Sequence, residues 1–108
     1  MSGQDHKILL VDDQVFNIDA IVILLKYNIK INHDRVRVDK ALSGQEALDL
    51  VKRDVEENLG LECGYTLILM DCNMPFMDGY QCTDNIRQFL LDKQIKQPII
   101  SAVTGHTE

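Results

Sequence analysis

The sequence is poor in basic side chains, with 11 lysines and arginines against 17 aspartates and glutamates, and its formal net charge is −6. Surfaces that bind nucleic-acid backbones usually concentrate positive charge, so we expect no direct nucleic-acid binding by this chain. It also lacks any apolar run close to the roughly 20 residues that a membrane-spanning helix requires. Because the N-terminus is polar as well, we expect a soluble, intracellular protein without a membrane partner.

Cysteine is scarce too, with only Cys63, Cys72 and Cys82. An odd count does not suggest a disulfide framework, and the spacing does not match the close pairs of a zinc site. We therefore expect reduced thiols and a cytoplasmic location. The 108 residues, 45% of them hydrophobic, can bury one core but hardly two. We predict a disordered N-terminal segment over residues 1–6 and a single domain over residues 7–108.

Short apolar runs alternate with stretches of helical periodicity along the whole chain. The runs predict four strands, over residues 7–11, 36–42, 65–70 and 99–103. Apolar residues at three- and four-residue intervals predict three helices between them, over residues 15–27, 45–59 and 80–91. This alternation indicates an α/β fold, a doubly wound parallel sheet whose strands are joined by right-handed helical crossovers. Handedness puts the first helix on one face of the sheet and the other two on the opposite face.

Polar residues stand directly after three of the predicted strands. Asp12 and Asp13 follow the first strand, Asp71 follows the third, and Thr104 follows the fourth. Ligands of open parallel sheets bind at the carboxyl ends of the strands, so these side chains are expected to converge. Three converging carboxylates repel one another, and a divalent, oxygen-preferring cation such as Mg²⁺ would relieve that repulsion. A carboxylate beside such a cation can attack phosphorus, and Asp71 is the candidate nucleophile.

Three motifs occur in the order and at the spacing of response-regulator receiver domains. They are Val11-Asp12-Asp13, the run from Met70-Asp71 through Met74-Pro75 to Met77-Asp78-Gly79, and Val103-Thr104-Gly105. From about Lys7 to its end, the chain therefore resembles a receiver domain, a module of two-component phosphorelay signalling. The resemblance implies a flavodoxin-like topology in which the four predicted strands have the order 2-1-3-4.

The resemblance also implies a role for each site residue. Asp71 would be the phosphoacceptor, and Thr104 would be the hydroxyl that moves toward the phosphoryl group and switches the conformation. Asp13 would bind Mg²⁺ directly, Asp12 would position it largely through water, and Asn73 would contribute its backbone carbonyl. The partner would be a histidine kinase or a histidine phosphotransfer domain that donates the phosphoryl group. The isolated domain would not be an enzyme, whereas a parent protein could be a hybrid histidine kinase or a stand-alone regulator.

The chain departs from the family pattern at its C-terminal end. Receiver domains have a fifth strand that ends in a lysine near the phosphoryl group, followed by a last helix. By comparison with that pattern, the last helix-strand-helix unit, with the fifth strand and the last helices, is expected to be absent here, so that the domain is incomplete at its C-terminus. Lys93 and Lys96 precede the fourth strand, at the opposite end of the sheet from Asp71, and do not replace the missing lysine. An unpaired fourth strand would present an edge through which two copies could associate.

Two other functions share parts of this pattern. A phosphatase of the haloacid-dehalogenase type would also use an aspartate nucleophile, but it needs an Asp-x-Asp pair after the first strand. A flavodoxin-like electron carrier would share the sheet, but it needs a hydroxyl- or glycine-rich phosphate loop after that strand. Asp12 and Asp13 occupy the position of that loop and would repel a flavin phosphate. Both alternatives are therefore weaker than the receiver function.

Overall fold

In a computed structural model, which describes residues 6–28, 36–71, 74 and 78–103, the predicted alternation of strands and helices is confirmed. The elements, in chain order, are β1 (His6–Val11), α1 (Val15–Asn28), β2 (Val36–Ala41), α2 (Gly44–Glu57), β3 (Tyr65–Asp71), α3 (Gly79–Asp92) and β4 (Ile99–Val103). The predicted disordered segment lies outside the described residues, apart from His6, with which β1 begins. Among the described residues, no helix is long and apolar enough to cross a membrane.

The four strands form one parallel sheet in the order β2-β1-β3-β4, as predicted. Their register aligns the strand ends, because Val11 in β1 pairs with Met70 in β3, and Asp71 pairs with Val103 in β4. The residues that follow β1 and those that end β3 therefore lie side by side at one edge. A parallel sheet of short, nearly continuous apolar strands has to be covered on both faces, which the crossover helices begin to do.

The two faces of the sheet are covered unequally. The larger core cluster lies between the sheet and the pair α2 and α3, and includes Val51, Tyr65, Ile68, Ile86 and Leu90. Among the residues whose burial is described, the smaller cluster on the α1 face has Ile8, Leu10 and Ile18 as its buried members. Handedness thus distributes the helices as predicted, with one on the first face and two on the second.

Helix α2 begins with a side-chain cap and ends earlier than predicted. Ser43 Oγ accepts a hydrogen bond from the Glu46 amide, and Glu46 Oε1 accepts one from the Leu42 amide. These bonds end β2 at Ala41, one residue before the predicted end. The prediction that α2 continues to Leu59 on its apolar face is wrong, since α2 ends at Glu57 and Leu59 is 83% exposed. The Asn58 side chain donates to the Asp54 carbonyl at the turn.

Helix α3 begins at Gly79, because the Asp78 carboxylate accepts a hydrogen bond from the Gln81 amide and so caps the helix. Its buried face consists of Gly79, Cys82, Ile86 and Leu90. Tyr80, which the periodicity assigned to the apolar face, is 65% exposed. The predicted spacing included Ile86 and Leu90, which are buried, but it missed Cys82, and two other predicted members, Thr83 and Phe89, are only partly buried.

An ion pair that the sequence did not reveal lies at the other end of the sheet. Asp54 of α2 is buried, and its carboxylate accepts hydrogen bonds from Lys7 Nζ (2.5 Å) and from the Gly64 amide (2.6 Å). A Cβ atom at Gly64 would lie 2.8 Å from Asp54 Oδ1, so glycine is required for this approach. Because Asp54 comes three residues after the buried Val51 on the same helix, its sequence position could have indicated that it faces the core.

Candidate functional site

The ends of β1 and β3 bring three carboxylates together. Asp12 and Asp13 follow β1, Asp71 ends β3, and one carboxylate oxygen from each of them lies within 4.8 Å of the others. The strand register explains this convergence. Val11 pairs with Met70, so the residues that follow them, Asp12 and Asp71, lie side by side at the same edge of the sheet. The predicted convergence of Asp12, Asp13 and Asp71 is therefore present in the structure.

Asp12 is the most buried of the three, with 6% of its surface exposed. Its backbone amide continues the ladder with β2 by donating to the Ala41 carbonyl at 3.0 Å. Its Oδ1 accepts a hydrogen bond from the Gln14 amide at 2.9 Å, which fixes the start of α1. Burial raises the pKa of Asp12; the bonds from Gln14 and Asn17 oppose this, while the charge of Asp71 adds to it.

Asn17 is a residue of this site that the sequence reading missed. Its side chain donates a hydrogen bond to the Asp12 carboxylate from the first turns of α1. The periodicity placed Asn17 on the polar side of the helix, which is correct, since it is exposed. The sequence did contain a clue to this role. Asn17 lies one helical turn after Asp13, at the N-terminal end of α1, and this end faces the carboxylate cluster.

Asp71 lies beside the end of β4. It is half-buried, and it pairs with Val103, the last residue of that strand. Thr104 follows Val103 directly and lies outside the described residues, as does Asn73. The predicted roles of these two residues as switch hydroxyl and metal ligand therefore stay predictions.

The loop after β3 has two described residues with clear structural tasks. Met74 is buried and belongs to the larger core cluster, so it ties the loop to the space between the sheet and the helices. Asp78 caps α3 and lies outside the carboxylate cluster. Its place in the Met77-Asp78-Gly79 motif is thus explained by the helix start.

The chemistry of the cluster fits a hard divalent cation. All three donors are carboxylates, the oxygen ligands that Mg²⁺ prefers, and they are only partly accessible to water. The raised pKa of Asp12 shows that burial beside like charges disfavours its ionised form. A cation at the centre would reverse that effect. Of the predicted ligand set, Asp12, Asp13 and Asp71 could therefore hold Mg²⁺ together.

Comparison with known proteins identifies the family. The family model described as "Response regulator receiver domain" matches residues 8–108. Hybrid signal transduction histidine kinase B of Dictyostelium discoideum is 38% identical over 97 residues, which cover 90% of this chain. Two-component system protein A of Emericella nidulans is 33% identical over 92% of the chain. The chain spans 4% of the length of the first relative and 12% of the second.

A solved structure agrees with these sequence matches. The receiver domain of the histidine kinase CKI1 from Arabidopsis thaliana, complexed with Mg²⁺ and BeF₃⁻, is similar with a TM-score of 0.72 and 33% identity. The similarity covers 95% of this chain and 68% of that one. Neither a haloacid-dehalogenase-like hydrolase nor a flavodoxin-like carrier is needed to explain the carboxylate cluster. From its sequence, its sheet order and its three converging aspartates, the chain belongs to the response regulator receiver domain family.

Proposed function

We propose that this domain accepts a phosphoryl group on Asp71 in a phosphorelay. The observation that carries the proposal is the meeting of Asp12, Asp13 and Asp71 at the carboxyl edge of the sheet, with carboxylate oxygens within 4.8 Å. Membership of the receiver family supports the same role. Asp71 is the nucleophile because it ends the central strand β3, between the acidic pair of β1 and the end of β4.

Asp12, Asp13 and Asp71, with the backbone carbonyl of Asn73, would hold Mg²⁺. When bound, the ion supplies positive charge that neutralises both the carboxylates and an incoming phosphoryl group. A relative that is 33% identical has been solved with Mg²⁺ and BeF₃⁻, which supports this choice of cation. Asp12 contributes mainly through its position, since its carboxylate is already held by Gln14 and Asn17.

The reaction is a transfer between two side chains. A carboxylate oxygen of Asp71 attacks the phosphorus of a phosphohistidine, the new O–P bond forms, and the P–N bond breaks. The electron pair of the broken bond stays on the imidazole nitrogen of the donor, which can then take up a proton. The domain accepts the group once and does not act as an enzyme with turnover. Thr104 would then move its hydroxyl toward a phosphoryl oxygen and change the conformation.

The partner would be a histidine kinase or a histidine phosphotransfer domain. The kinase relatives support this, and because the chain spans only a small part of their length, a hybrid histidine kinase is the proposed parent. Residues 7–108 would form the receiver unit. The free thiols of Cys63 and Cys82 are compatible with a reducing, cytoplasmic location.

Labelling with a small phosphodonor tests the nucleophile. After incubation with acetyl phosphate and Mg²⁺, mass spectrometry should find one acid-labile phosphoryl group on Asp71. Asp71→Asn should abolish the label, whereas Asp78→Asn should keep it, because Asp78 caps α3 outside the cluster. An acid-stable phosphate on a serine or threonine, or a label that persists in Asp71→Asn, would contradict the proposal.

Metal titration tests the ligand set separately. NMR or calorimetry should detect weak binding of Mg²⁺, since water fills much of its coordination shell. Asp13→Ala should weaken that binding at least about tenfold, because it removes one charged ligand. Asp78→Asn serves again as the matched control. Unchanged Mg²⁺ affinity in Asp13→Ala would mean that Asp13 is not a ligand.

A further inference from the structure

Helices α2 and α3 border a groove of about 520 Å³ that is open to solvent. It lies toward the C-terminal ends of both helices, where Leu59, Gly60 and Lys93 form part of its lining. Because crossover helices run antiparallel to their strands, this is the end of the domain away from Asp71. The groove is thus separate from the carboxylate cluster, and a ligand there would leave the phosphorylation edge accessible.

The groove combines an aromatic floor with a basic rim. Phe89 packs against the larger core cluster, and its ring faces two ammonium groups, Lys52 Nζ at 5.7 Å and Lys93 Nζ at 5.5 Å from the ring centroid. Arg53 adds a third positive charge to the lining. Cations over an aromatic ring make a surface that is both apolar and positive.

These three cations lack anionic partners within the part of the chain that the structure describes. The ion pairs found there are Lys7–Asp54, Arg37–Asp39 and Lys40–Asp19, and none involves the groove. Two carboxylates, Asp49 and Glu56, do line the groove, but Asp49 accepts a hydrogen bond from Gln45 instead. The lining therefore keeps a net positive charge in a chain whose net charge is −6.

Leu59 supplies a second, independent observation. Its backbone is left-handed, with φ of 60°, a conformation that costs free energy for any residue with a Cβ atom. Its side chain is also 83% exposed at the groove. Glycine or asparagine would fit this backbone better and would expose no apolar surface. The left-handed turn itself is held by two backbone hydrogen bonds, from the Leu59 amide to the Glu56 carbonyl (3.0 Å) and from the Gly60 amide to the Val55 carbonyl (2.8 Å), so the feature that points to a ligand is the exposed leucine side chain at the groove.

We propose that the groove between α2 and α3 docks an acidic segment of a partner protein, with an apolar side chain of that segment seated against Phe89 and Leu59. Carboxylates of the segment would pair with Lys52, Arg53 and Lys93. Charge complementarity favours such an occupant over a neutral or basic one. The groove is open to solvent, so a peptide segment seated in it can extend beyond it.

The test uses the ¹⁵N-labelled chain and a panel of short synthetic peptides in which glutamates flank a leucine or a phenylalanine. Amide shifts in NMR spectra should cluster at the groove residues and saturate, and affinity should fall as salt is added. Matched peptides with glutamine for glutamate, or serine for the apolar residue, should bind at least about tenfold more weakly. Lys52→Glu with Lys93→Glu should weaken binding by a similar factor, whereas Lys96→Glu, an exposed lysine outside the groove, should not.

Leu59→Gly distinguishes docking from a structural role. Glycine relieves the left-handed backbone, so the melting temperature should rise, while peptide affinity should fall. A residue needed only for folding would not produce these opposite changes. The proposal is overturned if no peptide of the panel shifts the groove amides at millimolar concentration, or if all peptides bind equally. It is equally overturned if raising the concentration of the chain alone shifts the groove amides, because a second copy would then cover the groove.

Discussion

Buried carboxylates serve different purposes at the two ends of the sheet. Asp12 is buried beside two other carboxylates, and both the burial and these like charges disfavour its ionised form. Asp54 is buried more deeply, but Lys7 and the Gly64 amide satisfy its oxygens. The first arrangement calls for a cation and suits a functional site, whereas the second is complete and serves stability.

Substitution of Asp54 tests this difference through protein stability. Asp54→Ala should lower the free energy of unfolding by about 3 kcal/mol, because it leaves the largely buried Lys7 and the Gly64 amide without their acceptor. Asp49→Ala, on the exposed side of the same helix, should change it by less than about 0.5 kcal/mol. Chemical denaturation measures both variants. Equal effects of the two substitutions would show that the buried pair contributes nothing specific.

From the raised pKa values of two cysteine thiols, we predict that the folded domain loses stability at alkaline pH. Burial raises the pKa of both Cys63 and Cys82 to about 11, from an ordinary value of 9.0. Between these values the unfolded chain releases thiol protons that the folded chain retains, so rising pH favours unfolding. Each thiol can contribute a slope of at most about 1.4 kcal/mol per pH unit. Chemical denaturation at several pH values in this range should show that the free energy of unfolding decreases, and Cys82→Ala should make the decrease less steep. A free energy that does not change with pH would contradict the raised thiol pKa values.

At the scale of elements, the two helices that cover the main core end in the same strained way. Leu59 after α2 and Gln94 after α3 both have left-handed backbones, with φ of 60° and 58°. Glycine is the usual residue at such a position, because it has no Cβ to clash. Both turns are closed by the same pair of backbone hydrogen bonds, so the left-handed residue is part of the helix end in each case, and docking is needed only to explain why Leu59 exposes an apolar side chain at the groove.

Gln94→Gly should therefore stabilise the domain by about 1 kcal/mol, since it relieves the left-handed strain at an exposed position. The same exchange at Gln88, an exposed position inside α3, should destabilise it by about 1 kcal/mol. Thermal unfolding compares the two variants directly. Changes of the same sign would mean that backbone conformation does not control stability at these positions.

At the scale of the whole molecule, one face of the sheet is thinly covered near β4. Ile99 pairs with Leu67 and therefore lies on the α1 face, where Leu67 and Leu69 are only partly buried. Ile99 itself is 69% exposed. Among the described residues, β4 pairs with β3 alone, so its outer edge has no neighbouring strand. Apolar surface next to an open edge favours association with another chain.

We predict that the 108-residue chain self-associates through β4. Sedimentation velocity should show a concentration-dependent increase in mass over the micromolar range. Ile99→Lys should suppress it, because a charge on an edge strand opposes pairing. Leu91→Lys, an equally drastic exchange at an exposed leucine of α3, should not. A monomer at every concentration tested would contradict the prediction.

Much of the architecture could be read from the sequence, since it depends on local pattern. Apolar runs and helical periods predicted all seven elements, mostly to within one residue, and crossover handedness predicted which helices cover each face. The aspartates could be predicted to converge because they directly follow strands whose carboxyl ends share an edge. The exception was Leu59, where periodicity extended α2 too far.

The sequence by itself determined the fold, the family and the acidic cluster, because each of these depends on residue order along short segments. Only the tertiary structure decided those long-range contacts that do not lie at the carboxyl ends of strands. The pairing of Lys7 with Asp54 joins β1 to α2, and the basic groove joins Lys52 on α2 to Phe89 on α3. Such contacts depend on how the helices are set against the sheet and against each other, and no local pattern carries that information.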